Sequence, residues 1–511
     1  MTTAQICIII AIVVYLAAMI AMGVVYSKKN KSTGDFYLGG RTLGPLVTAM
    51  SAEASDMSSY LLMGLPGLAV IYGIAEASWT AIGLAVGTYI NWLIVAKRIR
   101  IYSHKIDATT IPEFFSKRYR DSKNILSLIA ALVIIVFFVP YTASGFSACG
   151  KLFSSLFGVD YTVAMIVSAA IIVLYTTLGG FTAASVTDLV QSIIMTIALI
   201  VVVVFGVNQA GGLSAVIENA GKLPAYFSLT STGDGEGGVV PYGGLTIVST
   251  LAWGLGYFGM PHILLRFMAI EDSNKIKISR RIASVWVVIS MAVAIFIGTV
   301  GVGMVGAGVI KGGFDSERVI IEISKYLSSF GILPALVAGV ILSGILAATM
   351  STADSQLLAA SSSASQDIFI SFFKVKLSEK KAMLIARISV IVITVIAVLI
   401  ALDENSSIFR VVSFAWAGFG AAFGPLVLFS LFWKRTNRAG AIAGMVAGGV
   451  TVFVWKFLIA PLGGVFNIYE LLPAFIISSL AIVVFSLVTK APSKEIVEEF
   501  EQVQSDLKAK D

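Results

Sequence analysis

Histidine and cysteine are nearly missing from the 511 residues, with two of each. His104 and His262 fall in no hydrolase or metal-binding spacing, which leaves no nucleophile, base and metal constellation for an enzyme. Cys7 and Cys149 lie within or at the edge of apolar runs and read as small core residues, without a disulfide framework. Charge is scarce too. Only 13% of the residues are Asp, Glu, Lys or Arg, and the net charge of +7 is spread over short loops. Nucleic-acid binding would need that charge gathered on one soluble face. The segment after Thr489 is too short for a fused signalling domain.

Apolar residues make up 57% of the chain, and the mean hydropathy is +0.92. They recur in stretches of about 20 residues, each long enough to cross a bilayer. The pattern predicts spans at 5–27, 45–64, 68–96, 125–149, 160–178, 187–207, 242–268, 282–309, 330–351, 383–402, 408–432, 438–460 and 468–488. The first lacks a positive n-region and a small-residue cleavage site, so it is read as a span instead of a signal peptide. Basic clusters at Lys28, Lys29, Lys31 and Arg41, at Lys97 to Lys123, at Lys275 to Arg281, at Lys374 to Lys381 and at Lys434 to Arg438 all fall on one side. Acidic or neutral loops, such as 208–240 with Glu218, Asp234 and Glu236, and the Asp403–Glu404 turn, fall on the other. The positive-inside bias then predicts an outside N-terminus and a cytoplasmic C-terminus, in the plasma membrane. The expected organisation is one transmembrane domain, 1–489, and a cytoplasmic tail, 490–511. The tail pattern KEIVEEFEQVQSDLKAK puts Ile496, Val497, Phe500 and Val503 on one side and predicts a solvated or interfacial helix in preference to a partner-docking one.

Three segments carry chemistry. In SAEASDMSSYLLMGLPG, Asp56 sits at membrane depth, where a carboxylate costs about 2.5–3.5 kcal/mol on insertion scales and marks an ion or substrate path. Ser55, Ser58, Ser59 and Gly64 are weak helix formers, so the backbone there can unwind and bare its carbonyls. In AWGLGYFGMPHILLRFMA, Gly254, Gly256, Gly259 and Pro261 interrupt a second helix, although Gly and Pro also produce plain kinks. Two interrupted helices in corresponding places point to an inverted-repeat transporter. In LAATMSTADSQLLAASSS, expected at the cytoplasmic end of a span, Ser351 and Thr352 offer hydroxyls among small residues. Hydroxyls and unwound carbonyls are hard ligands for a dehydrated cation, while back-bonding to their own helix is the alternative. A channel is disfavoured because no charged ring or repeated filter is visible.

These segments, with FYLGGRTLGP at 36–45, WGLGYFG at 253–259, MST at 350–352 and LYTTLGGFTAASVTDLVQ at 174–191, resemble the solute:sodium symporter family almost end to end, and within it the bacterial sodium/proline symporters. The resemblance implies an all-α LeuT-like fold of ten helices in two inverted repeats, about 45–207 and 242–432. One helix precedes them and two follow, about thirteen in all. It implies a sodium site of the Ala54, Met57 and Ala348 carbonyls with the Ser351 and Thr352 hydroxyls, Asp56 serving sodium coupling. Ser58, Tyr60, Tyr141, Trp253, Tyr257, Met260 and Pro261 match solute-pocket positions, and Trp253 and Tyr257, four apart, are expected on one helix face. Aromatic walls suit an apolar ring while exposed amides and carbonyls take a carboxylate and amine.

The match has departures. The proline symporters carry Gly, Gly, Trp and Gln where this chain has Glu53, Ser59, Tyr60 and Met260. Glu53 reads as facing a polar vestibule, with a substrate or proton role as the alternative. Asp188, expected at a helix start, reads as a cap or, by the resemblance, as part of a second ion set with Asp354 and Ser355. His262 reads as a packed helix residue. The resemblance implies sodium as the coupling ion, no cofactor, and as partners the bilayer and a small zwitterion such as proline, a related amino acid or another organic solute.

Overall fold

The computed structural model describes residues 2–27, 32–235 and 237–509, so Lys28, Lys29, Lys31 and Glu236 lie outside the described residues. The chain folds into long helices: α1 (Thr3–Ser27), α2 (Pro45–Tyr72), α3 (Ile74–Lys105), α4 (Ile125–Phe157) and α5 (Tyr161–Gln209). Helix α6 is built of Gly244–Leu251, a tight 3₁₀ stretch Ala252–Gly259, and Pro261–Ala269. Then follow α7 (Ile276–Gly306), α8 (Ile332–Phe372), α9 (Glu379–Ile400), α10 (Ile408–Phe432), α11 (Arg438–Leu462), α12 (Leu471–Val488) and α13 (Lys494–Ala509). Among the described residues, eleven helices are long and apolar enough to cross a membrane. At 49 residues α5 is too long for one crossing, and it breaks at Gly180, whose φ of 64° and ψ of −165° interrupt the helix. Counting its two halves and the broken α6 gives the expected thirteen crossings. The 208–240 loop contains a short helix, Leu213–Gly221, and a hairpin pairing Ser231–Gly233 with Val239–Pro241.

Several expected boundaries move. The second span does not end at residue 64. Proline is tolerated in the first turn of a helix, so Leu65–Tyr72 continues α2, and the reversal waits for Gly73 at φ 78°. The half of α5 after the break starts near residue 181, which places Asp188 well inside it instead of at a helix start. The 346–363 segment lies within α8, which runs on to Phe372, past the expected limit at residue 351, with its Ser and Ala buried by neighbouring helices. The tail helix α13 is no free solvated helix. Ile496, Phe500, Val503 and Leu507 are buried, Val497 only partly. Gln504 accepts from Arg98 at 2.7 Å, and Asp506 and Glu501 pair with Lys105 and Lys434, holding α13 against the basic ends of α3 and α10.

Two devices position the broken helices. The FYLGGR motif ends in Arg41, whose guanidinium donates to the Met268 and Ala108 carbonyls at 2.8 and 2.5 Å, and Leu43 pairs with Ile270 through backbone hydrogen bonds. The start of α2 is thereby tied to the end of α6. Farther in, α3 and α6 touch backbone to backbone: a Cβ on Gly87 would stand 2.3 Å from the Gly254 carbonyl oxygen, and one on Gly254 2.2 Å from that of Gly83. Gly87→Leu therefore has to separate two helices. It should lower stability by about 1–3 kcal/mol or more, read as a lower Tm in detergent. Gly449→Ala, where a Cβ meets nothing within 4 Å, should leave Tm unchanged or raise it.

Candidate functional site

The break in α2 falls at Ser58, two residues after Asp56. Ser58 takes φ 47° and ψ −170°, a left-handed region that costs a serine strain and persists where surroundings enforce it. Its hydroxyl accepts from the Tyr60 N–H at 3.1 Å, which caps the segment that resumes. The neighbouring carbonyls then find partners outside the helix. The Asp56 carbonyl accepts from Tyr141 Oη of α4 at 3.3 Å, and the Ala54 carbonyl accepts from Ser351 Oγ of α8 at 2.8 Å. Thr352 Oγ1 donates to the Ala348 carbonyl at 3.2 Å. Ala54, Ala348, Ser351 and Thr352 thus meet at the α2–α8 contact, and Met57 is buried one turn away, with its carbonyl receiving the Tyr60 N–H. All are oxygen donors without formal charge. Among the described residues no group of three or more His, Cys, Asp or Glu could hold a metal ion.

Negative charge stands beside these oxygens. Asp56 Oδ2 accepts from Tyr257 Oη at 2.5 Å, linking the two broken helices, while Oδ1 has no hydrogen-bond partner. Glu53 is buried against α3, accepting from Trp92 Nε1 at 2.9 Å with Oε2 unpartnered, so it faces a packed wall and not the polar vestibule expected of it.

On the other side of the break lies an aromatic cluster. Tyr60 stacks on Trp253 with ring centroids 5.8 Å apart and on Phe409 at 6.0 Å, and Trp253 stacks on Tyr469 at 5.1 Å. The 3₁₀ winding of 252–259 turns residues four apart onto different faces, so Trp253 and Tyr257 do not share one. They meet instead through Trp416, which donates from Nε1 to the Trp253 carbonyl at 2.8 Å and sits edge-on to Tyr257 at 5.0 Å. Gly256 makes room, since a Cβ there would lie 2.0 Å from Trp416 Nε1. Asn91 Nδ2 holds the Tyr257 carbonyl at 3.0 Å. Met260 is extended (φ −76°, ψ 109°) and fully buried, and Pro261 opens the helix that follows.

A second polar group gathers around Asp188 and adjoins the first, with Ser355 Oγ 2.9 Å from the Ser351 carbonyl. Asp188 does not cap a helix; its Oδ2 accepts from Ser51 Oγ at 2.6 Å and pairs with Arg266 at 3.2 Å, both charges out of solvent. Arg266 also donates to Ser355 Oγ at 2.5 Å and to the His262 carbonyl at 3.0 Å, and lies over the Phe181 ring. Asp354 accepts from Tyr175 Oη at 2.8 Å and Ser355 Oγ at 3.0 Å. His262 is buried, its ring tilted against Phe138, as a packed residue. Arg266 was not singled out in the sequence, though it is the one basic side chain within the otherwise apolar 252–269 segment. Phe409 and Trp416 of α10, and Tyr469 just before α12, lie in sequence that gives no cue beyond aromatic content.

The geometry can now be set beside known proteins. The sodium:solute symporter family model matches residues 36–448. This chain belongs to that family. A sodium/proline symporter of Haemophilus influenzae is 43% identical over 97% of both chains, and one of Escherichia coli is 42% identical over 96% of this chain and 95% of the relative. An osmoregulated proline transporter of Bacillus subtilis is 41% identical over 98% and 99%. Among solved structures, a Na⁺-coupled sialic acid symporter in an outward-open state aligns over 96% of this chain and 99% of its own with a TM-score of 0.78 at 18% identity, which carries the fold. As a sodium:solute symporter the chain is a multi-pass membrane transporter with a LeuT-like double repeat, it takes sodium as coupling ion, and it is not an enzyme.

Removing Arg266 would leave the Asp188 carboxylate buried without its cation. Breaking such a pair costs about 3–5 kcal/mol, so Arg266→Met should lower Tm sharply. Adding Asp188→Asn should return most of the loss, measured by thermal unfolding of the two variants in the same detergent.

Proposed function

We propose that the protein imports L-proline, or a closely related small zwitterion, down the sodium gradient across the plasma membrane, with its N-terminus outside and its C-terminus in the cytoplasm. One observation carries the reading: the Ser351 hydroxyl of α8 reaches the bare Ala54 carbonyl beside Asp56, at the break of α2 that also borders the aromatic cluster. Sodium bound among Ala54, Met57, Ala348, Ser351 and Thr352 knits α2 to α8, and the Asp56 carboxylate supplies the attracting field. With α2 fixed, Ser58, Tyr60, Tyr141, Trp253, Tyr257, Met260 and Pro261 form the solute pocket. The aromatic faces enclose the ring of the solute; the amides and carbonyls freed at both breaks take its carboxylate and amine. The repeats span about 45–207 and 242–432 within a single domain, 1–489.

Asp188, Asp354 and Ser355 are read as a closure on the basic face. A second sodium there would have to compete with the tethered Arg266 guanidinium, so one sodium per solute is the stoichiometry assigned. One charge moving down about 100 mV and a tenfold sodium gradient supplies about 3.7 kcal/mol, which sustains about 400-fold accumulation.

The relatives named for proline favour that solute, and Tyr60 and Met260 favour a broader one. Methionine is apolar and flexible and lacks the amide of the glutamine in the proline symporters, and a lost polar contact relaxes discrimination. Met260→Gln with Tyr60→Trp should sharpen preference for proline in competition by a panel of amino acids and betaines. An unchanged ranking would remove both side chains from selectivity. Asp56→Asn, Ser351→Ala and Thr352→Ala should each raise the sodium concentration for half-maximal uptake roughly tenfold or more, about 1.4 kcal/mol per lost ion contact. Wild-type sodium dependence in all three would place the ion elsewhere.

A further inference from the structure

We propose that a lateral cavity between α1, α4, α5 and α8 binds one acyl chain of a membrane lipid, entering from the leaflet at the N-terminal end of α1, and that this chain tunes the sodium site from behind. The cavity has a volume of about 430 Å³. Its walls are apolar: Ile9 and Leu16 from α1, Phe153 from α4, Val163 and Val167 from α5, and Met350 from α8. Val163 and Val167 are 58% and 53% exposed on the outer face of α5, so the mouth opens on the hydrocarbon layer. A lipid tail is the solvent there.

Besides Cys149 the wall carries two polar side chains, and both are engaged with backbone carbonyls. Gln5 donates to the Leu156 carbonyl at 3.1 Å, and Ser168 donates to the Ala164 carbonyl at 2.8 Å. Desolvating a polar solute against such a wall would be uncompensated, whereas a methylene chain gains contact area at every carbon. Gln5 lies in the first turn of α1, Phe157 ends α4 and Val159 precedes α5, so a chain entering where these elements meet runs along the wall toward Leu16 and Met350.

Met350 links the cavity to the ion. Its sulfur accepts from Tyr15 Oη at 3.6 Å, its carbonyl accepts from Tyr175 Oη at 3.1 Å, and the next residue is Ser351, whose hydroxyl reaches Ala54. A chain packed against Met350 fixes the α8 turn that presents Ser351 and Thr352. This second half of the proposal rests on the sodium site proposed above; the binding half does not.

The test is photocrosslinking of the full chain in phosphatidylglycerol and phosphatidylcholine vesicles, using a phospholipid with a diazirine midway along one acyl chain and mapping adducts by mass spectrometry. Adducts are expected on the inner wall, at Met350, Cys149 or Phe153. They should vanish in Val167→Trp, which blocks the mouth from a position facing lipid, and persist in Val167→Leu. Adducts confined to outward faces such as Ile10, Val13 and Val14, and insensitive to Val167→Trp, would overturn the site. In Val167→Trp the sodium concentration for half-maximal uptake should shift about fivefold or more. An unchanged sodium dependence, or uptake in the wild type that ignores sodium, would overturn the coupling while leaving the crosslinks to decide the binding.

Discussion

Inside a bilayer, each polar group deprived of a partner costs several kcal/mol, and the fold is arranged around the few places where that rule is met by a second helix instead of by the helix's own turn. Where α2 breaks at Ser58, the Ala54 and Asp56 carbonyls turn to Ser351 and Tyr141. Where α6 winds into a 3₁₀ turn, the Trp253 and Tyr257 carbonyls turn to Trp416 and Asn91. Both breaks are therefore sustained by α3, α4, α8 and α10, and Tyr257 joins them through Asp56. A cation that substitutes for one of these partners changes how those helices hold each other. With sodium at the proposed site, that is the physical content of coupling.

Buried charge is handled in two ways. Asp188 is matched by Arg266, which ties α2, α5, α6 and α8 together around one ion pair. Asp56 is bonded on one oxygen by the Tyr257 hydroxyl and has no partner on the other, which in the proposed function leaves it for sodium. The first arrangement joins four helices through one guanidinium. The second leaves the attraction available to sodium.

Much of this was legible in the sequence. Thirteen apolar runs give the class and the approximate helix count, because both depend on local composition, and an aspartate among small residues gives the site that is proposed. What was not legible depends on contacts between distant segments. Nothing local distinguishes Ser351 at a helix end from Ser351 inside α8, because buried Ser and Ala look the same as a run leaving the bilayer. The 3₁₀ winding that separates Trp253 from Tyr257 follows from close passage against Trp416 at Gly256, 160 residues away in sequence. Asp188 looked like a cap until its partner Arg266 was in view, and α13 looked solvated until the ends of α3 and α10 were placed beneath its apolar face.

The central claim is that sodium bound at the α2–α8 contact drives the solute uphill. Its most direct measurement is the steady-state ratio of labelled proline inside and outside vesicles holding the purified protein, with an inward sodium gradient and the membrane potential clamped at zero. A ratio well above one that collapses when a sodium ionophore is added is the predicted result. A ratio of one with the gradient intact would contradict the account.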